Sequence, residues 1–262
     1  VSYPIERRAG EIERLLVQAA AVEFDAGVML ERIGVAAGWR CVDLGCGPGG
    51  ITALLSARVG PSGRVVGLDA DAVFLDYARQ TVVNVEFVLG DAFRTGLPRA
   101  SFDLVHARFL ASTAGKPQAL LAEALALARP GGTVAFQEPD IGTLKCYPPH
   151  PAWDRLVGLC EGAFAQAGGD VHLGRRLHVL AAQAGLESVQ YRPFLVGFRS
   201  GHAMTDYLPA TVESLRGAVL RNDLIGAQEL DATLAACRRH LARPDTVFNY
   251  VTVAQVWGRR AL

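Results

Sequence analysis

The sequence predicts an α/β protein, an open sheet whose strands alternate with helices. Three observations predict it. The run Cys41–Leu44 passes abruptly into Gly45, Gly47, Gly49 and Gly50, and a helical pattern begins near Ile51. Two further apolar runs, RVVGL from Arg64 to Leu68 and VEFVL from Val85 to Leu89, lead to acids at Asp69 and, one residue past Gly90, Asp91. A helical stretch, Asp71 to Gln80, separates the two runs, with Asp71 placed to cap it.

With 262 residues, half of them hydrophobic, the chain can bury one full core, and a single domain over 1–262 is expected. The 26 basic and 26 acidic residues cancel. No global field gathers nucleic acid or an anionic membrane, so neither is expected as a partner, and a small molecule is. Cys41, Cys46, Cys146, Cys160 and Cys237 lack C-x-x-C or C-x-x-H spacing, which predicts free thiols, a reducing compartment and no metal site. No basic segment followed by an apolar core opens the chain, and the most apolar stretch, Ala119 to Phe136, is interrupted by Glu123 and Arg129. A soluble, cytoplasmic monomer or homodimer is the expectation.

A strand, a glycine turn and a helix amino terminus together receive a nucleotide, because side chains are missing where the ligand must come close. Gly45, Gly47 and Gly50 satisfy G-x-G-x-x-G, a weak signal by itself. Asp43 is more selective. It puts a carboxylate where the pyrophosphate of a dinucleotide would be repelled and a cation welcomed. S-adenosylmethionine carries an ammonium and a sulfonium and no phosphate, so it suits that charge. The run D-L-G-C-G-P-G, Asp43 to Gly49, resembles the first motif of the class I S-adenosylmethionine-dependent methyltransferases.

The resemblance implies a Rossmann-like seven-stranded sheet with its last strand antiparallel, flanking helices and a helical lid. The fourth strand is Ser101 to Arg108, and the fifth, Thr133 to Gln137, follows the helix Lys116–Ala128 and the turn L-A-R-P-G-G. The sixth is Glu187 to Phe198. The last, Val247 to Trp257, lies between the fifth and sixth. Residues 1–36 are read as a helical cover (Ile5–Ala21 and Phe24–Ile33), 37–140 as the cofactor-binding core, 141–172 as an insertion with a helix from Trp153 to Ala167, and 202–241 as the lid.

Cofactor contacts are expected from Asp43, Gly45, Cys46, Gly47 and Gly49. Asp69 is placed to accept both ribose hydroxyls, with Ala70 beside it. The resemblance assigns the adenine amine to Asp91 and the ring to Ala92 and Phe93; Phe93 equally fills the core. Arg14 and Gln18 face the cofactor or solvent. Arg108 either holds the methionine carboxylate or pairs with Asp140. On the acceptor side stand Tyr3, Glu138, Tyr147, His172 and Tyr207. His106 is the candidate general base, or a histidine held in a structural hydrogen bond; His172 is alternatively a helix cap, and His240 is expected in solvent.

The expected activity is metal-independent methyl transfer to a small-molecule acceptor, in specialised metabolism. Neither [DN]-P-P-[FY] nor the Asp and Asn ligands of the magnesium-dependent catechol type is present. One alternative is a protein of this fold that binds S-adenosylmethionine and catalyses a cyclisation or dehydration instead. A second, an NAD-dependent oxidoreductase, is disfavoured by Asp43 and Asp91.

Overall fold

The computed structural model describes residues 10–262. Two helices open it, α1 (Glu11–Ala21) and α2 (Glu23–Ile33), the second stopped by Gly34 in the left-handed region. The nucleotide half follows as β1 (Arg40–Leu44), α3 (Gly50–Val59), β2 (Arg64–Asp69), α4 (Ala72–Thr81), β3 (Val85–Leu89) and β4 (Phe102–Arg108). A single turn, α5 (Ala111–Ala114), and α6 (Pro117–Leu127) lead to the long strand β5 (Ala128–Asp140). The remainder comprises β6 (Cys146–Tyr147), α7 (Pro151–Gln166), α8 (Leu177–Gln183), β7 (Leu186–Phe194), β8 (Gly197–Arg199), α9 (Tyr207–Ser214), α10 (Arg216–Arg221), α11 (Ala227–Leu241), β9 (Val247–Asn249) and β10 (Thr252–Arg260).

The main sheet has seven strands in the order β3-β2-β1-β4-β5-β10-β7. The first five run parallel, and β10 is antiparallel to both β5 and β7. This is the Rossmann-like sheet expected, with the closing strand between the fifth and sixth.

Strands covered on both faces lose the polar alternation of a half-exposed strand. Residues Cys41 to Leu44 of β1 are buried on both sides. On one face Met29 and Leu30 of α2 and Leu55 and Val59 of α3 pack over Cys41, Val65, Leu104 and Ala135. On the other, Leu120, Leu121 and Leu127 of α6 and Leu177 and Leu180 of α8 cover Val42, Val66, Val105 and Phe136. Each fully buried leucine of this kind contributes roughly 2–3 kcal/mol of transfer free energy.

Residues 141–172 and 202–241 share a third core around Trp153, Leu156, Phe164, Leu208, Val212, Leu234 and Phe248. Two expected strands are divided here. The sixth ends at Phe194, and Gly197–Arg199 pairs instead with β9 in a separate three-stranded sheet, β6-β9-β8. Likewise Val247–Asn249 belongs to that small sheet and only Thr252 onward joins the large one. Phe248 packs its ring 5.5 Å from Trp153, while Tyr250 turns inward and donates its amide to Val196 O. The apolar pattern runs continuously through 247–257 because both sheets bury it, so the change of sheet leaves no polar interruption to read.

Candidate active site

The glycine turn is anchored by β2, since Gly45 N and Cys46 N both donate to Leu68 O, at 2.7 and 3.0 Å. Gly45, Gly47 and Gly49 have φ of 67°, 53° and 96°, a region that disfavours any side chain. A Cβ on Gly47 would meet nothing within 4 Å, whereas one on Gly49 would lie 2.8 Å from Val82 Cγ2. Gly49 is buried and does not line the cavity described below. Its assignment as a cofactor contact is therefore corrected to a steric role, in which it lets α3 start against the end of α4. Gly49→Ala is expected to cost about 2–3 kcal/mol through backbone strain and the Val82 clash, read as a lowered urea midpoint.

At the carboxyl edge of β1, β2 and β3 a cavity of about 590 Å³ opens, within the usual range for small-molecule sites. Asp43, Asp69 and Asp91 all line it, together with Gly45, Cys46, Gly47, Ala70, Ala92, Phe93, Arg14, Gln18, Arg108 and Tyr207. Asp69 Oδ2 accepts from Gly47 N and Oδ1 from Asp71 N, each at 2.8 Å. That straps the glycine turn to the tip of β2 and leaves one lone pair per oxygen for a ligand. Burial raises the pKa of Asp69, and the two amide donors oppose it. Asp43, 1 % exposed, accepts from Thr52 Oγ1 at 2.6 Å and from His106 Nδ1 at 2.8 Å. Asp91 stands exposed at the rim, accepting from Phe93 N at 2.8 Å. Phe93 lines the cavity and also packs against the core cluster of β4.

Carboxylates outnumber guanidinium groups on this wall: Asp43, Asp69, Asp71 and Asp91 against Arg108. Arg14 is held by Glu11 in a buried pair, Nε to Oε2 at 2.9 Å and Nη2 to Oε1 at 2.5 Å, and Ser214 Oγ donates to the same carboxylate. Arg108 sits beside Gly50 and over the Phe109 ring, 6.0 Å from its centroid, and burial lowers its pKa. Of the two alternatives for Arg108, the pairing with Asp140 does not form. Asp140 instead accepts from Arg175 Nε at 2.6 Å and pairs with His172 Nδ1 at 2.9 Å; burial opposes, but these donors hold its pKa at about 2.

The other half of the cavity is walled by α1, α7, α9 and the turn before β10. Leu15, Ile141, Leu144, Phe164, Leu208 and Val251 make it mainly apolar, and two polar clusters interrupt it, the Glu11–Arg14 pair and a group around Gln18. Gln18 Nε2 donates to Tyr207 Oη at 3.0 Å and to Tyr250 Oη at 2.7 Å, and Tyr250 donates on to Tyr207 at 3.2 Å. Burial raises both phenol pKa values and pushes the Cys160 thiol up to about 12.

Several expected acceptor-side residues are elsewhere. His106 is fully buried, bonded on one nitrogen to Asp43 and on the other to Gln137 Nε2 at 3.0 Å. It does not line the cavity, so the ring is a structural partner of Asp43 and not a base reaching an acceptor. Glu138 is buried too, its oxygens taken by the amides of Leu110, Ala111 and Ser112 at 3.2, 2.9 and 3.0 Å. It caps α5. Tyr147 is 68 % exposed on the small sheet, and His172 is clamped between Asp140 and Glu161 away from the cavity. His240, expected in solvent, is buried against His150. Tyr3 lies outside the described residues. Tyr250, Thr211, Cys160 and Phe164 escaped the sequence reading because they occupy ordinary apolar-pattern positions with no motif around them. Among the described residues no three His, Cys, Asp or Glu side chains gather as a metal ligand set, and no helix is long and apolar enough to cross a membrane.

Comparison with known proteins agrees with this geometry. A family profile described as a methyltransferase domain matches residues 41–132, the segment that holds the glycine turn and all three acids. Residues 41–132 carry a class I S-adenosylmethionine-dependent methyltransferase domain. An uncharacterised 37.1 kDa protein in transposon TN4556 of Streptomyces fradiae is 31 % identical over 75 % of this chain and 57 % of its own length. A trans-aconitate 2-methyltransferase of Methylobacterium radiotolerans is 37 % identical over 44 % of each. The chain thus spans about half the length of the curated relatives it matches. The chain has the fold of the YcgJ protein of Bacillus subtilis, at TM-score 0.59 and 16 % identity over 92 % of this chain and 99 % of that one. S-adenosylmethionine is the family's cofactor, and the residues present suit it: an acid-rich wall for its cations, a strapped strand-end acid for the ribose, and Arg108 beside the glycine turn for its carboxylate.

Proposed function

We propose that the protein binds S-adenosylmethionine and transfers its methyl group to a small, largely apolar acceptor without a metal. The observation that supports this most directly is the meeting of Asp43, Asp69 and Asp91, from the tips of three strands, in one crevice with the glycine turn. Asp69 takes the ribose hydroxyls, Asp91 with Ala92 and Phe93 the adenine, Asp43 the cationic end, and Arg108 the methionine carboxylate.

The acceptor lies in the apolar half beneath α7 and α9. The sulfonium methyl is already activated, so transfer needs alignment and exclusion of water. Among the described residues that half offers no imidazole, its one carboxylate, Glu11, is occupied, and its phenols and thiol hold their protons. The acceptor therefore brings a nucleophilic atom that needs no side-chain base. The trans-aconitate methyltransferases among the relatives are named for an acceptor that offers a carboxylate oxygen, a nucleophile that needs no side-chain base; its three carboxylates do not suit this apolar half, so the agreement lies in the nucleophile and not in the substrate.

Calorimetric titration with S-adenosylmethionine and S-adenosylhomocysteine tests the cofactor. Release of S-adenosylhomocysteine over a panel of acids, phenols, amines and thiols then tests the transfer. Binding of the cofactor with turnover of an acceptor but no such release would favour the cyclisation or dehydration reading. Arg108→Met is expected to weaken S-adenosylmethionine about tenfold, the worth of one charge-assisted contact, and to leave 5′-methylthioadenosine, which lacks the amino-acid end, unchanged. Equal weakening of both ligands would remove Arg108 from the carboxylate.

A further inference from the structure

A row of polar side chains crosses the buried sheet on the face covered by α2. Asp43 and His106 are in register on β1 and β4, and Gln137, Gln255 and Arg192 are in register on β5, β10 and β7. His106, Gln137 and Gln255 are each 0 % exposed. Their hydrogen bonds form one continuous chain. Arg192 Nη1 meets Gln255 Oε1 at 2.8 Å, Gln255 Nε2 meets Gln137 Oε1 at 2.9 Å, Gln137 Nε2 meets His106 Nε2 at 3.0 Å, and His106 Nδ1 meets Asp43 Oδ1 at 2.8 Å.

The direction of this chain is fixed at its far end. A guanidinium can only donate, so Gln255 must present its oxygen to Arg192. Its amide hydrogens then go to Gln137 Oε1 and to the backbone carbonyl of Asp25, which can only accept, at 2.9 Å. Gln137 in turn has only its NH₂ left for the imidazole. His106 Nε2 must therefore be the lone-pair nitrogen, and the proton sits on Nδ1, aimed at Asp43. With Thr52 donating to the other oxygen, Asp43 is held as a carboxylate by two donors beside a neutral ring. Arg192 itself is anchored by Asp25 of α2.

We propose that Gln137, Gln255 and Arg192 are positioning residues for the cofactor: through this one-way relay they select the Nδ1–H tautomer of His106 and so preserve the charge and orientation of Asp43. The inference rests on the reading of the cavity as an S-adenosylmethionine site, but its first consequence concerns the free protein. Reversing the relay puts a proton on His106 Nε2. That either makes an imidazolium, which offsets the charge of Asp43, or turns a lone pair toward Asp43 and removes one of its donors.

Gln255→Glu tests this from two strands away from His106 with side-chain volume retained. Its carboxylate accepts from Arg192 but cannot donate to Gln137, so Gln137 is free to turn its oxygen to the ring. Gln137→Met, which removes the donor to His106 outright, is the second variant. Nitrogen-15 NMR of histidine-labelled protein without ligand should show a neutral, Nδ1-protonated His106 in the wild type and an Nε2-protonated ring in Gln255→Glu. The affinity for S-adenosylmethionine should fall about tenfold in both variants, the worth of one hydrogen bond to a charged group. A wild-type ring protonated on Nε2 overturns the proposal without any variant. So does unchanged affinity in both. If the wild type fails to bind S-adenosylmethionine while the tautomer is as stated, it is the cofactor reading that falls.

Discussion

Asp69→Ala is expected to weaken S-adenosylmethionine by at least about a hundredfold, because one carboxylate serves both ligand and loop. Its two oxygens accept Gly47 N and Asp71 N and keep a lone pair each for the ribose hydroxyls. Alanine removes two charge-assisted ligand contacts, each worth roughly 1.5–3 kcal/mol, and also releases the glycine turn that shapes the site. Asp69→Asn should be intermediate, since its amide keeps one acceptor and sets an NH₂ against a backbone N–H. Asp91→Ala should lose about tenfold or less, because Asp91 is exposed at the rim and its contact is exchanged with water. Calorimetry on the three variants gives the ranking. An Asp91 loss equal to that of Asp69 would mean that the adenosine lies differently from the pose described.

The three acids were legible in the sequence because each stands at or within two residues of a strand's end, and a parallel sheet brings consecutive strand tips to one edge whatever the rest of the chain does. The same logic misplaced His106 and Glu138. Both are near the ends of their strands, but a strand position does not say whether a side chain points up into the crevice or sideways under a neighbouring helix. His106 is set by its register opposite Asp43, and Glu138 by the approach of α5, and both are properties of pairs of segments distant in sequence. Gln137 and Gln255 carry no site signal of their own in the sequence. Each reads as a single polar residue in an apolar run, and only the antiparallel pairing of β10 with β5 turns them into partners. The apolar wall of the acceptor half has the same cause: Leu15, Phe164, Leu208 and Val251 come from four segments, each with an ordinary helical or strand pattern.

Glu138 shows how such a buried group acts on stability. Its carboxylate is the acceptor for three amides at the start of α5, whose residues Thr113 and Ala114 line the cavity together with Leu110 just before it. Burial nevertheless pushes its pKa up to about 7, against the pull of those donors. The unfolded chain binds this proton with a pKa near the free value of about 4.3, so below that pH both states are protonated and this contribution is complete. As pH rises to 7 the unfolded chain loses the proton first, the folded state is disfavoured, and about 3 kcal/mol is gone once the native carboxyl has ionised. Glu138→Gln removes the titration at nearly constant volume. Relative to the wild type, its unfolding free energy should therefore climb between pH 5 and pH 8 by about 2.5 kcal/mol, part of the loss having already occurred by pH 5, read from urea melts at the two pH values. Glu138→Ala leaves three amides without their acceptor and should be less stable at both, by about 3 kcal/mol or more at pH 5. If wild type and Glu138→Gln keep a constant difference across the range, the carboxyl titrates at its free value, and the donors at the head of α5 outweigh its burial.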